Sequence, residues 1–215
     1  MDFQAEDAIN WFSKMTNKVV INKQYLTALD TQIGDGDHGD NIAKGFTAVS
    51  KLLHHAKKED ITTTAQVFRR SAMVLLMTVS GASGILYATA FLRMASVFEK
   101  KNRIDHSAFT EAISEAVEGI KERGNVEYGE KTLLDVWIDL VELFQSSEEF
   151  PQASLIEQSA RRAMNKTKTS IAMKGKAALY EEHSLGHIDP GAASTYYFFA
   201  SLAEVCEEKQ NGRIC

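Results

Sequence analysis

The chain has few of the residues that mark secreted, membrane or nucleic-acid-binding proteins. It contains two cysteines and two prolines among 215 residues. Cys206 and Cys215 show no metal-ligand spacing, so a disulfide framework is not expected. A net charge of −5 provides no basic surface for nucleic acid or for an anionic membrane. No uninterrupted apolar run reaches membrane-spanning length and the first residues are too acidic for a signal peptide, so the cytoplasm is the expected compartment.

Alternating apolar and polar residues, which would mark strands, are also scarce. Helical spacing of apolar residues is instead found along nearly the whole chain, as where Ile42, Phe46, Val49 and Leu53 fall on one face. Short connections between such segments favour an antiparallel bundle or helical barrel, here as one domain over residues 1–215. The sequence therefore predicts an all-α fold with eight helices, at about 3–22, 40–57, 64–78, 82–99, 105–123, 131–146, 152–180 and 190–209.

The stretch 30–41, DTQIGDGDHGDN, is the most informative part of the chain. Asp30, Asp35 and Asp37 lie among glycines that let a loop turn back on itself, so the three carboxylates can point at one spot. Converging carboxylates repel one another unless a cation lies between them, and such hard oxygen ligands suit Mg²⁺ or Ca²⁺. A helix begins directly afterwards, and its free N–H groups favour phosphate. The stretch therefore predicts a nucleotide site.

Two other interpretations apply to the same loop. A calcium-binding EF-hand fails on register, because counting from Asp35 places Asp40 at the invariant glycine and Phe46 at the bidentate glutamate. A solvated turn in which Asp40 caps the following helix is left open. We expect His38, inside the loop, to hydrogen-bond a phosphate or to order the metal ligands.

Three further segments are candidates, each with a plain structural alternative. The small residues at 80–84 either open a helix toward a phosphate or a flat ring, or let two helices pack closely. Residues 124–132 look like a Walker A loop, but Glu130 is inserted before Lys131 and no strand precedes them, so a loop that enters a helix near Thr132 is the better interpretation. In 186–194, Asp189 and Pro190 are expected as helix cap and first helical residue with or without a function.

Taken together and in this order, these segments resemble the L subunit of bacterial dihydroxyacetone kinase, the ADP-binding subunit often called DhaL. The similarity covers nearly the whole chain. Any one motif alone is weak evidence, whereas five in register are specific. The five are YLTALD at 25–30, IGDGDHG at 33–39, GASG at 81–84, GEKT at 129–132 with Asp135 and Trp137, and GHIDPG at 186–191.

The resemblance implies a barrel of eight antiparallel helices with the nucleotide site at one end. It implies that Asp30, Asp35 and Asp37 hold two Mg²⁺ ions, which grip the phosphates of ADP or ATP. Three carboxylates and a nucleoside diphosphate bring about −6, so one Mg²⁺ leaves about −4 and two leave about −2. The residues implied around the nucleotide are His38, Gly39, Asp40, Asn41, Ala82, Ser83, Gly124, Thr132, Leu133, Lys176, Asp189, Pro190 and Gly191.

The family also implies a reaction and two partners. The bound nucleotide passes a phosphoryl group to dihydroxyacetone on a separate K subunit, and a phosphotransferase-system M subunit recharges the ADP with phosphate from phosphoenolpyruvate. Positioning and electrostatics carry this chemistry, so no side chain is assigned as catalytic. The alternatives left open are a related short ketose as substrate, a kinase subunit that exchanges ATP directly, a nucleotide sensor that regulates a transcription factor, and assembly as a homodimer.

The chain departs from the family pattern near the nucleotide. Lys176 stands where the family has an arginine, and an ammonium group cannot form the bidentate phosphate contact of a guanidinium. His183 replaces a second family arginine, and Ser80 and Ile85 replace a glycine and a proline. We expect these changes to affect nucleotide affinity and the choice of sugar or partner.

Overall fold

The computed structural model describes residues 2–56 and 61–212. Within these residues it contains helices and no strand, as the spacing of apolar residues predicts. Two 3₁₀ helices span Thr167–Thr169 and Lys176–Ser184. The α-helices are α1 (Ala5–Ile21), α2 (Lys23–Ile33), α3 (His38–His55), α4 (Thr64–Thr78), α5 (Gly81–Phe98), α6 (His106–Gly124), α7 (Leu133–Gln145), α8 (Ala153–Lys166) and α9 (Pro190–Gln210).

Eight of these helices form a closed ring, and the predicted all-α architecture is confirmed. Each helix from α3 to α9 packs against the next in sequence, and α1 closes the ring by packing on both α9 and α3. The first residues of α3, α5, α7 and α9 line one cavity, so these four helices begin at the same end of the ring. The short helix α2 lies beside α3 and α9.

Aromatic side chains fill the middle of the ring. Trp11 of α1 stacks on Phe198 of α9 with ring centroids 4.2 Å apart, and its indole N–H donates to the Phe198 carbonyl at 2.6 Å. Phe12, Phe68 and Phe91 pack around them and are fully buried. Each such side chain contributes roughly 1.5–3 kcal/mol by its burial. This core fixes the directions of the helices and therefore the place where their ends meet.

Helix α5 is the one helix in the described part of the chain whose length and composition would allow it to cross a membrane. It packs between α4 and α6, and its Tyr87, Phe91 and Met94 are fully buried in the core. Packing inside the ring accounts for its apolar composition.

Two helix predictions were wrong. No helix was assigned to 23–33, which forms α2, so Asp30 lies in the last turn of a helix and not in a loop. The helix predicted over 152–180 ends at Lys166. Beyond it the backbone is irregular, with left-handed φ values of 64° at Gly175 and 47° at Glu181 that an α-helix does not contain. Residue 57 of the helix predicted over 40–57, and Cys215, lie outside the described residues.

Candidate functional site

One end of the ring holds a cavity of about 480 Å³. Its walls are the first residues of α3, α5, α7 and α9, the last turns of α2 and α6, and residues 174–177. Four helix N-termini that face one space present free N–H groups and the positive ends of four helix dipoles. This end of the ring is therefore suited to an anionic ligand of small-molecule size.

The three aspartates predicted as metal ligands lie together at this cavity. Asp30 is buried in the last turn of α2, whereas Asp35 and Asp37 are exposed in the turn between α2 and α3. One carboxylate oxygen of each lies within 4.8 Å of the other two. The donor set consists of carboxylate oxygens that border an open cavity, an arrangement that suits Mg²⁺ because water and phosphate can complete its coordination. The residues therefore fit Mg²⁺.

Two glycines shape the acidic turn, residues 30–37. A Cβ on Gly34 would lie 2.1 Å from Asp30 Oδ1, and Gly36 has a φ of +76°, which other residues rarely adopt. The backbone N–H of His38 donates to Asp30 Oδ2 at 3.0 Å. The direction of the Asp30 carboxylate is thus fixed by its neighbours before any ion binds.

A lysine from the opposite wall contacts the acidic turn. The Lys176 ammonium donates to the Asp35 carboxylate, and this hydrogen bond lowers the pKa of Asp35 and raises that of Lys176. Tyr180 Oη donates to the Gly34 carbonyl at 3.0 Å. Two side chains of the 3₁₀ helix Lys176–Ser184 therefore bridge the gap to the acidic turn.

His38 has both ring nitrogens occupied inside the protein. Nε2 lies 3.0 Å from Ser194 Oγ, and Nδ1 lies 3.3 Å from Ser83 Oγ. Ser194 in turn lies 2.9 Å from Tyr87 Oη. Burial lowers the pKa of His38 to about 4, so its imidazole is neutral at physiological pH. The imidazole ring thus joins the starts of α3, α5 and α9, and the role of His38 toward a phosphate or the metal ligands stays a prediction.

The start of α9 has the cap that the sequence predicts. Asp189 Oδ2 accepts the Ala192 N–H at 2.6 Å, and Pro190 is the first helical residue. Burial raises the pKa of Asp189 to about 7. A Cβ on Gly191 would lie 3.3 Å from Leu133 Cβ, so α9 begins in close contact with the first residue of α7. Helix capping and close packing together explain this segment, and the cavity lies directly against it.

Comparison with known proteins agrees with the motifs. A family model described as the DAK2 domain matches residues 32–204. The chain belongs to the DAK2-domain family. Among its relatives, the ADP-binding subunit DhaL of the PEP-dependent dihydroxyacetone kinase 1 of Listeria innocua is 37% identical over 95% of this chain and 98% of its own length. The DhaL subunit of the PTS-dependent kinase of Lactococcus lactis is 36% identical over 93% of this chain and 97% of its own. The resemblance to DhaL subunits is confirmed.

Solved structures of a dihydroxyacetone kinase confirm the fold. The native dihydroxyacetone kinase of C. freundii superposes with a TM-score of 0.69 over 93% of this chain at 23% identity. The same enzyme in complex with AMP-PNP and Mg²⁺ also gives a TM-score of 0.69, at 21% identity. The DAK2-domain chain spans about a third of that longer protein, 34% and 33% of the two solved chains.

Most of the residues assigned to the nucleotide by resemblance to DAK2-domain subunits do line the cavity. Gly39 and Asp40 do not. A Cβ on Gly39 would lie 2.3 Å from the Lys23 carbonyl, and the Asp40 side chain is exposed and paired with Lys23. Of the departures from the family pattern, Ser80 and Ile85 line the cavity and His183 is exposed. The assigned residues on the wall are His38, Asn41, Ala82, Ser83, Gly124, Thr132, Leu133, Lys176, Asp189, Pro190 and Gly191.

Sequence reasoning missed several residues of this DAK2-domain cavity. Leu86 and Val126 add apolar surface, and Arg123 and Lys174 add positive charge. Leu86 lies one turn after Ala82 on α5, so helical spacing could have identified it. Lys131 also borders the cavity, although the motif that contains it was set aside as a helix connection. No local signal marks Lys131, because its contacts are with distant residues.

Proposed function

We propose that this chain is the nucleotide-carrying L subunit of a dihydroxyacetone kinase. It holds ADP and ATP with Mg²⁺ at the acidic end of the ring, and it passes a phosphoryl group from a phosphotransferase-system M subunit to dihydroxyacetone on a K subunit. The observation that carries the proposal is the approach of Asp30, Asp35 and Asp37 within 4.8 Å beside a cavity lined by four helix N-termini. The DhaL subunits that match nearly end to end support it.

The charges of the site favour two Mg²⁺ ions. The three carboxylates and a diphosphate carry about −6 in a confined space, and two ions reduce this to about −2. The helix N-termini and Lys176 can offset part of the remaining negative charge. When bound, the ions would neutralise the charge of the transferring phosphoryl group, and the chain itself would contribute position and fixed dipoles.

The cavity also offers a surface for the base of a nucleotide. Leu86 and Val126 meet at Gly124, where an added Cβ would lie 3.2 Å from a methyl group of each. Leu133 lines the same cavity. A flat, largely apolar ring suits such a surface, and any side chain at 124 would reduce the space for it.

Retention of nucleotide tests the cofactor role directly. The purified protein is denatured by heat and the supernatant is assayed for adenine nucleotide. We expect close to one ADP per chain, together with an increase in melting temperature on addition of Mg-ADP. Absence of both would contradict the proposal. Rapid exchange with labelled ADP would instead favour the subunit that uses ATP directly.

Reconstitution tests the reaction and the partners. The chain is combined with K and M subunits, the general phosphotransferase proteins, phosphoenolpyruvate and dihydroxyacetone or another short ketose, and the phosphorylated sugar is measured. We expect turnover that requires all three subunits. A chain that binds ADP but supports no turnover with any ketose would favour the nucleotide sensor that regulates a transcription factor. Sedimentation of the same samples reports whether the chain forms a homodimer.

A further inference from the structure

We infer that Lys131 is a positioning residue whose ammonium group holds the 167–189 segment in place as one wall of the cavity. The expected effect on nucleotide binding rests on the proposed function, whereas the contacts of Lys131 lie within this chain. Lys131 is 1% exposed, which is rare for a lysine without a carboxylate in direct contact. Its backbone has a φ of +61°, a strained value that persists only where the surroundings enforce it.

The Lys131 side chain ends inside a cage of four backbone carbonyls. Nζ lies 2.7 Å from the Thr167 oxygen, 3.1 Å from that of Ser170, 2.8 Å from that of Ser184 and 2.6 Å from that of His187. An ammonium group has three donors and a neutral amine has only two, so this cage requires the charged form with one shared hydrogen bond. Burial opposes that charge, and the four oxygens compensate for it.

The cage matters because polar contacts, more than apolar packing, hold the 167–189 segment in place. Most of its large apolar side chains face solvent, with Met173 60% exposed and Leu179 83% exposed, whereas Ile188 is buried. The carbonyls of the cage come from both ends of the segment, so a single ammonium group joins residues that are up to twenty positions apart. Other hydrogen bonds add to the cage. The buried Ser184 hydroxyl accepts the Ala172 N–H at 2.9 Å, the Met173 N–H donates to the Glu130 carbonyl at 3.1 Å, and His187 Nδ1 lies 2.8 Å from Gln32 Oε1.

The segment in turn supplies part of the site. Residues 174–177 line the cavity, and Lys176 and Tyr180 contact the acidic turn. Without the ammonium group, the four carbonyls would lose their shared donor. Those of Thr167 and Ser184 belong to buried residues, so the segment would have to open toward water. We therefore expect the loss of Lys131 to loosen this wall and to weaken nucleotide binding while the ring of helices stays folded.

Hydrogen exchange of the protein without nucleotide tests the cage in Lys131→Met, which keeps most of the length of the side chain and removes its ammonium group. The amides of Ala172, Gly186 and Asp189 donate within the segment and report on it. We expect their exchange to accelerate at least about tenfold, with amides in the middle of α1 and α5 unchanged. Lys168→Met is the matched control, because that side chain is exposed in the same segment and should change nothing.

Lys131→Ala with added amines provides a second test. Propylammonium replaces the missing atoms and should restore slow exchange, whereas tetramethylammonium carries the charge without N–H donors and should not. The proposal is overturned if exchange in the segment is unchanged in Lys131→Met. It is equally overturned if α1 and α5 lose protection in both variants, because Lys131 would then support the whole ring.

Titration calorimetry with Mg-ADP tests the consequence. We expect about a tenfold loss of affinity in Lys131→Met and none in Lys168→Met. A loosened segment with unchanged affinity would refute the positioning role. If the wild-type protein itself fails to bind Mg-ADP, the proposed function fails, while the exchange experiments still decide whether the cage holds the segment.

Discussion

The two walls of the cavity are held in place by different forces. The first wall, α2 and α3 with the acidic turn between them, rests on buried apolar side chains such as Ile33, Ile42 and Phe46. The second wall, the 167–189 segment, exposes most of its large apolar side chains and is held by hydrogen bonds, among them those to Lys131 and Ser184. The first wall supplies the carboxylates and the second supplies a cation that reaches them.

The difference indicates a division of roles. A wall fixed by the core can hold converging charges at a set distance, since moving them would disturb the packing. A wall with few apolar contacts belongs to the low-stability part of a protein, from which binding segments are usually drawn. We expect the first wall to determine whether metal and nucleotide bind, and the second to determine how tightly.

The largest effect is expected from removing one charge of the first wall. Asp37→Asn should weaken Mg-ADP binding by at least about a thousandfold, roughly 4 kcal/mol, because a neutral amide is a poor partner for Mg²⁺. The thermal stability of the metal-free protein should not fall, since Asp37 is exposed and its repulsion with Asp35 is relieved. Calorimetry measures the affinity for Mg-ADP, and far-UV circular dichroism measures the thermal stability.

Asp105→Asn is the control for affinity, because Asp105 is also exposed but caps α6 and does not line the cavity. An Asp37→Asn protein that still bound Mg-ADP tightly would remove the basis for the metal site.

A smaller effect concerns Asp189, the last residue of the second wall and the cap of α9. Burial gives Asp189 a pKa of about 7 in the folded protein, against an ordinary value of 3.8. Between these pH values the folded state binds more protons than the unfolded state, so this group lowers the free energy of unfolding as pH rises from about 4 to about 7. Asp189→Asn keeps the oxygen that caps the helix and should remove this loss of stability. The loss amounts to roughly 3 kcal/mol in the free energy of unfolding between pH 5 and pH 8.

Urea denaturation in EDTA at pH 5 and pH 8 measures the difference between Asp189→Asn and the wild type. Asp105→Asn serves again as a control, because the hydrogen bond from the Ala108 N–H lowers the pKa of Asp105. A lowered pKa affects stability only as pH falls below the ordinary value, so this control should show no change between pH 5 and pH 8. If the free energies of unfolding of Asp189→Asn and the wild type differed by the same amount at pH 5 and pH 8, Asp189 would have an ordinary pKa.

The sequence predicted the first wall far better than the second. Apolar spacing identified most of the ring helices, and the Asp-Gly pattern identified Asp30, Asp35 and Asp37, because both signals are local. The helix extended to residue 180 was wrong, since the polar residues after Lys166 fit a helical pattern as well as an irregular one. Lys131 was missed because its carbonyl partners come from the backbone, and backbone groups leave no mark on the sequence.

The smallest effects compare one glycine from each wall. Gly34→Ala would place a methyl group 2.1 Å from Asp30 Oδ1, so the carboxylate must turn away and we expect Mg-ADP affinity to fall about thirtyfold, roughly 2 kcal/mol. Gly175→Ala meets no atom within 4 Å but keeps a φ of +64° with a ψ of −159°, a conformation that costs roughly 1–3 kcal/mol for a residue with a side chain. Since the second wall can adjust, Gly175→Ala should lower the affinity for Mg-ADP by no more than about threefold. Titration calorimetry of both variants measures the contrast, and equal losses would show that the two walls are equally rigid.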